Sequence, residues 1–154
     1  MDLLDNILGS PEGSALHHLR SQRPDIVRHT QGSYEVLLNP SDPAGLTLGE
    51  RALIAHHVAF LSGHDALARH YGELLDQREP ALAATASPRL RAILDHVALV
   101  TATPGQATQA NIQALRNAGL TPRDVVALTQ IIAFVSYQVR AAFGLSLLAS
   151  EPRT

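Results

Sequence analysis

A long apolar segment, residues 45–75, constrains the fold more than any other feature of the sequence: GLTLGERALIAHHVAFLSGHDALARHYGELL. Its Thr47 and Glu50 have the spacing of a capping box, in which a hydroxyl and a carboxylate accept hydrogen bonds from free N–H groups at a helix start. A helix is therefore predicted to begin near Leu48. Residues 52–61 are apolar apart from two histidines, which predicts that most of the circumference of this helix is buried.

A second segment, residues 119–148, is similar to the first and lies 74 positions later: GLTPRDVVALTQIIAFVSYQVRAAFGLSLL. Its helix start has Thr121 as cap, Pro122 at the first helical position and Asp124 in the first turn. We interpret the two segments as an internal duplication of one long-helix unit. Chance similarity between two amphipathic helices rich in Leu and Ala is the alternative. Residues of the first unit that recur identically in the second are Gly45, Leu46, Thr47, Ala59, Phe60 and Ser62.

Helix signals also occur outside the two units. Ser87 and Pro88 predict one helix start, and Thr103 with Gln106 predicts another through a capping box. No stretch alternates polar and apolar residues for long enough to predict a strand. The predicted fold class is therefore all-α, a helical bundle in a single structural domain. An N-terminal helical extension (residues 1–44) is predicted to pack on a core domain (residues 45–150) as core padding or as a clasp between subunits.

Composition limits both the chemistry and the partners. The 154 residues include no cysteine, which excludes peroxide reduction through a protein thiolate. The formal net charge is -2 and no cluster of Lys and Arg stands out, so nucleic acid is not an expected partner. No uninterrupted apolar run approaches the ~18 residues of a membrane span. Because no targeting segment is visible either, no membrane association is expected and the cytoplasm is the predicted location.

Ionisable side chains on the first apolar helix are the candidate catalytic groups. Glu50, His57 and His64 are spaced seven apart, almost two helical turns, so they share one stripe if the helix continues through Gly63. A metal site is not predicted, because no His-x-x-x-His pair accompanies them and His56 points about 100° away from its neighbour. No other cofactor is predicted. The histidines interpreted as hydrogen-bonded core or interface residues are His17, His18, His29 and His96.

These segments resemble a known family. The GLT-x-x-E helix start, the long apolar helix and the later run LRNAGLTPRDVVALTQIIAFVSYQVRAAFG are similar to the carboxymuconolactone decarboxylase and alkylhydroperoxidase D-like (AhpD-like) superfamily. The resemblance covers roughly residues 39–149. It implies an AhpD-like helical bundle. Because members of the superfamily typically assemble as homo-oligomers, it also implies self-association.

The resemblance places the family's catalytic positions on this chain. In the thiol peroxidases of the superfamily, a Glu near the helix start is followed by Cys-x-x-Cys and then by a His that assists the cysteines. Glu50 matches that Glu, whereas Ser62 and Asp65 occupy the cysteine positions. Arg69 occupies the His position, and His70 follows one residue later. The chain thus resembles a member without thiol chemistry, and Ser62 with Asp65 has the spacing of a capping box that restarts the helix.

Two hypotheses follow, from different functional classes. In the first, the chain is a cofactor-free enzyme that performs proton transfer, decarboxylation or lactone chemistry on a small anionic molecule. The resemblance adds support, because the decarboxylase branch works without cysteine. Glu50 is then the polarising carboxylate, and His57 or His64 is the general acid or base. An arginine anchors the anionic group, and the candidate substrate-binding residues are Arg69, His70, Tyr137 and Arg140.

In the second hypothesis, the chain is a non-catalytic oligomeric scaffold or the partner of an active relative. Each candidate then has a structural role: Glu50 as a helix cap, Asp65 with Arg69 as an i,i+4 ion pair, and Arg140 as a brace on Asp124 or on a carbonyl. Both hypotheses predict a homo-oligomer, because a single subunit is not expected to cover the apolar faces of two such helices.

Overall fold

The computed structural model describes residues 2–149, which form eight α-helices and two short 3-10 turns and contain no β-strand. The prediction of an all-α fold is confirmed. The 3-10 turns are Leu82–Ala84 and Pro104–Gln106. The helices are α1 Leu3–Ile7, α2 Ala15–Ser21, α3 Pro24–Leu38, α4 Leu48–Leu61, α5 Asp65–Arg78, α6 Pro88–Ala102, α7 Gln109–Asn117 and α8 Pro122–Ala149.

Helix α4 lies at the centre of the bundle and packs against α5, α6 and α8. Its residues Ala52, Ile54, Ala55, Val58 and Ala59 have no exposed surface, as its apolar composition predicts. They join a core cluster that includes Leu128, Ile131 and Val135 of α8. The two long apolar segments of the sequence therefore supply the two helices that pack at the core.

The three N-terminal helices pack against α8. From this part of the chain, Leu4 and Leu38 belong to the main core cluster. Of the 15 residues of α3, only Leu38 is buried. Most of α3 therefore lies at the surface of the single chain.

The predicted helix starts of α4 and α8 are confirmed, and they lie next to each other. At the start of α4, Thr47 N donates to Glu50 Oε2 and Glu50 N donates to Thr47 Oγ1, each at 3.0 Å. At the start of α8, Thr121 N donates to Asp124 Oδ2 at 2.9 Å. The other carboxylate oxygen of Asp124 accepts a hydrogen bond from Gly45 N at 2.9 Å. One carboxylate therefore caps α8 and also holds the loop that leads into α4.

Arg51 fixes the same loop from the other side. Its guanidinium donates to three backbone carbonyls, Leu46 O at 3.1 Å, Leu37 O at 2.8 Å and Pro43 O at 2.9 Å. The residue is only 5% exposed, and burial lowers the pKa of the guanidinium from its usual value. Arg51 thus satisfies carbonyls that neither a helix nor another side chain satisfies.

Two predicted helix boundaries are wrong. Ser62 does not cap α5: it is the C-cap of α4, Gly63 follows with φ +70°, and His64 is the N-cap of α5. The segment after α6 is a 3-10 turn, and the next α-helix begins only after Thr108. A histidine, His64, caps α5 in place of Ser62, and Thr108 caps α7 in place of Thr103.

Helix α8 is more apolar than the sequence reading allowed. Its Pro122–Leu148 portion is long and apolar enough to cross a membrane by length and composition, with a mean hydropathy of 1.6 over an 18-residue window. The expectation that no segment reaches this level is corrected: polar residues such as Thr129 and Gln138 interrupt the apolar run, but the mean hydropathy of the window remains high. Only 39% of that window is buried within the chain.

Candidate functional site

Glu50 is held by the helix start of α4 and by an ion pair with α6. Arg89 Nε donates to Glu50 Oε1 at 2.7 Å. Glu50 is only 5% exposed. Arg89 also donates to Gly45 O at 2.6 Å. The Cα of His57 lies about 10 Å further along α4, and no hydrogen bond or ion pair within residues 2–149 joins Glu50 to a histidine. The structure therefore does not bring Glu50 together with His57 or His64.

The helix break at Gly63 separates His64 from the stripe on α4. His64 Nδ1 accepts a hydrogen bond from Leu67 N at 3.3 Å and so caps α5. The His64 ring also lies against Phe143 of α8, with ring centroids 4.8 Å apart. Asp65 is the exposed first residue of α5. Neither His64 nor the two positions that match the family's cysteines forms a site with Glu50.

His57 lines an open groove between α4 and α6. We define the α4–α6 groove by its lining residues: His57, Thr85, Ala86, Ser87, Pro88, Leu90, Arg91, Leu94, Asp95 and Ala98. Its volume is about 700 Å³. Volumes of about 300 to 1,000 Å³, with apolar walls and a few convergent polar groups, are typical of sites for small molecules.

The polar groups of the α4–α6 groove are an imidazole, a helix N-terminus and two side chains of opposite charge. Burial lowers the pKa of His57, so its imidazole is neutral near pH 7. Helix α6 starts at Pro88 in the groove wall, and a helix N-terminus carries partial positive charge. Arg91 and Asp95 are exposed one turn apart, and neither side chain forms a hydrogen bond or ion pair within the described part of the chain. Both are therefore available to a ligand.

His70 belongs to a separate, internal cluster. Its Nε2 lies 3.1 Å from the hydroxyl of Tyr34, and its ring packs edge-on against Tyr71. The Tyr71 hydroxyl donates to Gln138 Oε1, whose residue has no exposed surface. Burial lowers the pKa of His70 and raises the pKa of Tyr71. This cluster joins α3, α5 and α8 in the interior of the bundle.

The other predicted substrate-binding residues point away from the α4–α6 groove. Arg69 on α5 is exposed, and it has no ion pair with Asp65 in the described range. Tyr137 is 42% exposed and its hydroxyl lies 3.2 Å from Thr30 Oγ1. Arg140 is exposed on α8 and does not brace Asp124. None of the three lines the groove that contains His57.

Histidine and carboxylate side chains are dispersed over the fold. Within residues 2–149, no group of three His, Asp or Glu residues is placed to hold a metal ion.

Two solved structures are similar to this fold. An uncharacterized peroxidase-related protein from Silicibacter sp. TM1040 matches with a TM-score of 0.64 and 21% identity, over 92% of this chain and 76% of the other. The alkylhydroperoxidase AhpD core of an uncharacterized peroxidase-related protein from Ralstonia eutropha JMP134 matches with a TM-score of 0.59. Its identity is 29%, over 80% of this chain and 70% of the other. The chain has an AhpD-like helical fold and contains no cysteine. No family model matches the sequence, and neither does any curated protein.

The chain differs from the thiol peroxidases that it resembles in how its polar residues are used. The carboxylate at the helix start is neutralised by Arg89, the first cysteine position is a helix C-cap, and the residue before the second is a helix N-cap. These three assignments rest on the ion pair and on the hydrogen bonds at the helix ends. They give Glu50 and Ser62 structural roles, whereas Asp65 and Arg69 are exposed.

Sequence reasoning missed Arg91 and Asp95. The sequence does contain a pattern that includes them: the two charges are spaced i,i+4 on a helix whose apolar stripe is Leu90, Ile93 and Val97. That pattern is typical of any solvated helix face. Only the packing of α6 against α4 shows that this face borders His57.

Proposed function

We propose that the α4–α6 groove of this AhpD-like protein binds a small anionic molecule and that His57 accepts a proton from it. The observation that carries the proposal is the lining of one groove by a half-buried imidazole and an unpaired guanidinium. Arg91 and the N-terminus of α6 attract the negative charge of the ligand. Apolar residues Leu90 and Leu94 contact its carbon skeleton.

The proposed chemistry needs no cofactor. Since the pKa of His57 is lowered, the ring is present at pH 7 in the form that can accept a proton. Proton abstraction from an activated acid leaves charge on the substrate and creates an imidazolium. The guanidinium of Arg91 stabilises the negative charge on the substrate. Isomerisation of a small acid falls within this class of reaction, because the imidazolium can return the proton to another carbon of the substrate.

Maleate, a small dicarboxylate, is a suitable probe of the groove. Titrating maleate into the protein should shift the NMR signals of His57 and raise its pKa, because a bound dianion favours the imidazolium. Replacing Arg91→Gln should weaken maleate binding by about tenfold or more, since a hydrogen bond to a charged group contributes roughly 1.5–3 kcal/mol.

The matched control is Arg69→Gln. It removes the same charge from an exposed helix position outside the groove. Equal weakening by both substitutions would show non-specific screening, and a His57 signal that ignores maleate would contradict the proposed site.

A non-catalytic scaffold is the second candidate function, and the ion pair of Glu50 favours it. The carboxylate at the family's catalytic position is fully engaged by Thr47 N and Arg89. A protein selected only for its framework retains such contacts and needs no proton acceptor. If it is a scaffold, histidine resonances stay unchanged with maleate while the protein still assembles.

A further inference from the structure

The exposed side of α8 is too apolar for a free helix surface. Its buried side chains, which include Leu128, Ile131, Val135, Val139 and Ala142, all face the core of the chain. The outer side carries Val126 at 56% exposure and Tyr137 at 42%. Helices of this hydropathy are mostly buried in soluble proteins, whereas only 39% of the α8 window is buried here. The outer side therefore lacks a cover in the single chain.

Exposed residues on this side recur at alternating spacings of four and three. We define the α8 stripe as these six positions, all of them exposed: Val126, Gln130, Ala133, Tyr137, Arg140 and Gly144. A spacing of this kind keeps side chains on one seam of a helix and is the pattern by which two helices interlock. The small residues Ala133 and Gly144 allow a second helix to approach closely.

The residues of the α8 stripe lie in pairs at equal distances before and after position 135, so two antiparallel copies of the stripe can complement each other. Counted from position 135, Ala133 lies two residues before and Tyr137 two residues after. Gln130 and Arg140 lie five residues away on either side, and Val126 and Gly144 lie nine away. When two copies run antiparallel about position 135, Tyr137 meets Ala133 and Val126 meets Gly144. Each Arg140 meets a Gln130, whose side-chain carbonyl accepts its hydrogen bond.

We propose that two copies of this chain associate through the α8 stripe, antiparallel, with a twofold axis at position 135. In a twofold interface the same patch serves both subunits, and residue i of one copy contacts residue j of the other while j contacts i. The palindromic arrangement of sizes and polarity meets that condition. This interface is independent of the proposed chemistry of the α4–α6 groove, which contains none of these residues.

The single chain exposes more surface than is expected of a compact monomer of its mass. A monomer of 16.5 kDa is expected to expose about 7,500 Å², and this chain exposes 8796 Å². That total covers the whole chain, ends included. A specific interface takes about 800 Å² from each partner. Beside the stripe, a groove lined by Gln130 and Ala133 of α8 and by Ser33 and Val36 of α3 provides further contact surface.

A second copy fits the stripe better than a lipid bilayer does. Half of α8 packs on the core of its own chain, so the exposed part is a stripe and not a complete apolar cylinder. The stripe also contains Gln130 and Arg140, and an arginine facing hydrocarbon is costly. Against a second copy, the same two residues have partners. We therefore assign the surface to self-association.

Cysteine cross-linking tests the register directly, because the chain has no cysteine of its own. Ala133→Cys and Tyr137→Cys chains carrying different tags are co-expressed and mildly oxidised. The proposed axis places position 133 of one copy beside position 137 of the other, within disulfide reach. Two copies of position 133 are offset by about 6 Å along the helix axis, which together with the gap between the helices puts their Cα atoms beyond the ~7 Å that a disulfide spans. The mixed dimer should therefore cross-link at least tenfold more than either variant alone.

The matched control is the pair Ile112→Cys and Arg116→Cys, which has the same spacing on the exposed face of α7. Cross-linking of the α8 pair no greater than this control overturns the proposal. Preferential self-linking of Ala133→Cys overturns it as well, because it indicates parallel helices. A wild-type mass of one chain by light scattering at about 10 µM, or a monomer that co-sediments with phosphatidylcholine vesicles, also contradicts a dimer through this stripe.

Discussion

Replacing Arg51→Met should lower the free energy of unfolding by about 3 kcal/mol. The substitution removes the donor of Leu46 O and Leu37 O, whereas Pro43 O keeps a hydrogen bond from Leu46 N at 3.3 Å. Each buried polar group without a partner costs about 1–3 kcal/mol, and water at the rim of the loop compensates for part of this. Urea unfolding followed by circular dichroism measures the difference.

The control for Arg51 is Arg116→Met. Arg116 is exposed in the last turn of α7, and no other side chain depends on it in the described range, so its loss should change the free energy of unfolding by less than about 0.5 kcal/mol. Equal effects of the two substitutions would mean that Arg51 contributes only charge. Arg51 would then not hold the loop between α3 and α4.

Asp124→Ala should be destabilising by about 2–4 kcal/mol. Its carboxylate is 1% exposed and accepts hydrogen bonds from Thr121 N, Thr121 Oγ1 and Gly45 N, at 2.9, 2.7 and 2.9 Å. The substitution removes the cap of α8 and leaves the amide of Gly45 unpaired. Thermal or urea unfolding at pH 7 measures the loss.

Gly45→Ala tests the same junction through packing. Gly45 has no positive φ, but a Cβ there would overlap the carboxylate of Asp124. We expect a cost of about 1–3 kcal/mol in the wild type, as for other overpacked sites. In the Asp124→Ala background the obstacle is gone, so the cost should fall below about 0.5 kcal/mol. Strict additivity of the two substitutions would show that the side chains do not meet.

The helical fold was predictable because its signals are local. Capping boxes at Thr47 and Thr121, and the cap at Ser87, involve residues three apart in sequence, so spacing alone identified where these helices begin. The failures also have local causes. Around Gly63 and around Thr103, several cap residues follow one another, and backbone geometry decides among them. Spacing does not contain that information.

The candidate site was only partly predictable, since its contacts are non-local. Glu50 and Arg89 are 39 residues apart, and nothing in the sequence indicates that the guanidinium neutralises that carboxylate. His57 was identified from its position on an apolar helix. Its neighbours Arg91 and Asp95 became visible only when α6 was placed beside α4. The spacing of the residues in the α8 stripe, in contrast, can be recognised in the sequence. That these residues are exposed follows only from the fold.

The pKa of His57 in the wild type and in Glu50→Gln, measured by NMR, tests the central claim most directly. That claim is that Glu50 has a structural role, whereas the α4–α6 groove at His57 is the functional site. The glutamine retains an oxygen that can cap α4 but loses the charge that binds Arg89. We predict a somewhat less stable protein in which the pKa of His57 is unchanged and stays below 6.5. A clear shift of that pKa in Glu50→Gln would place the two residues in one site and contradict the account.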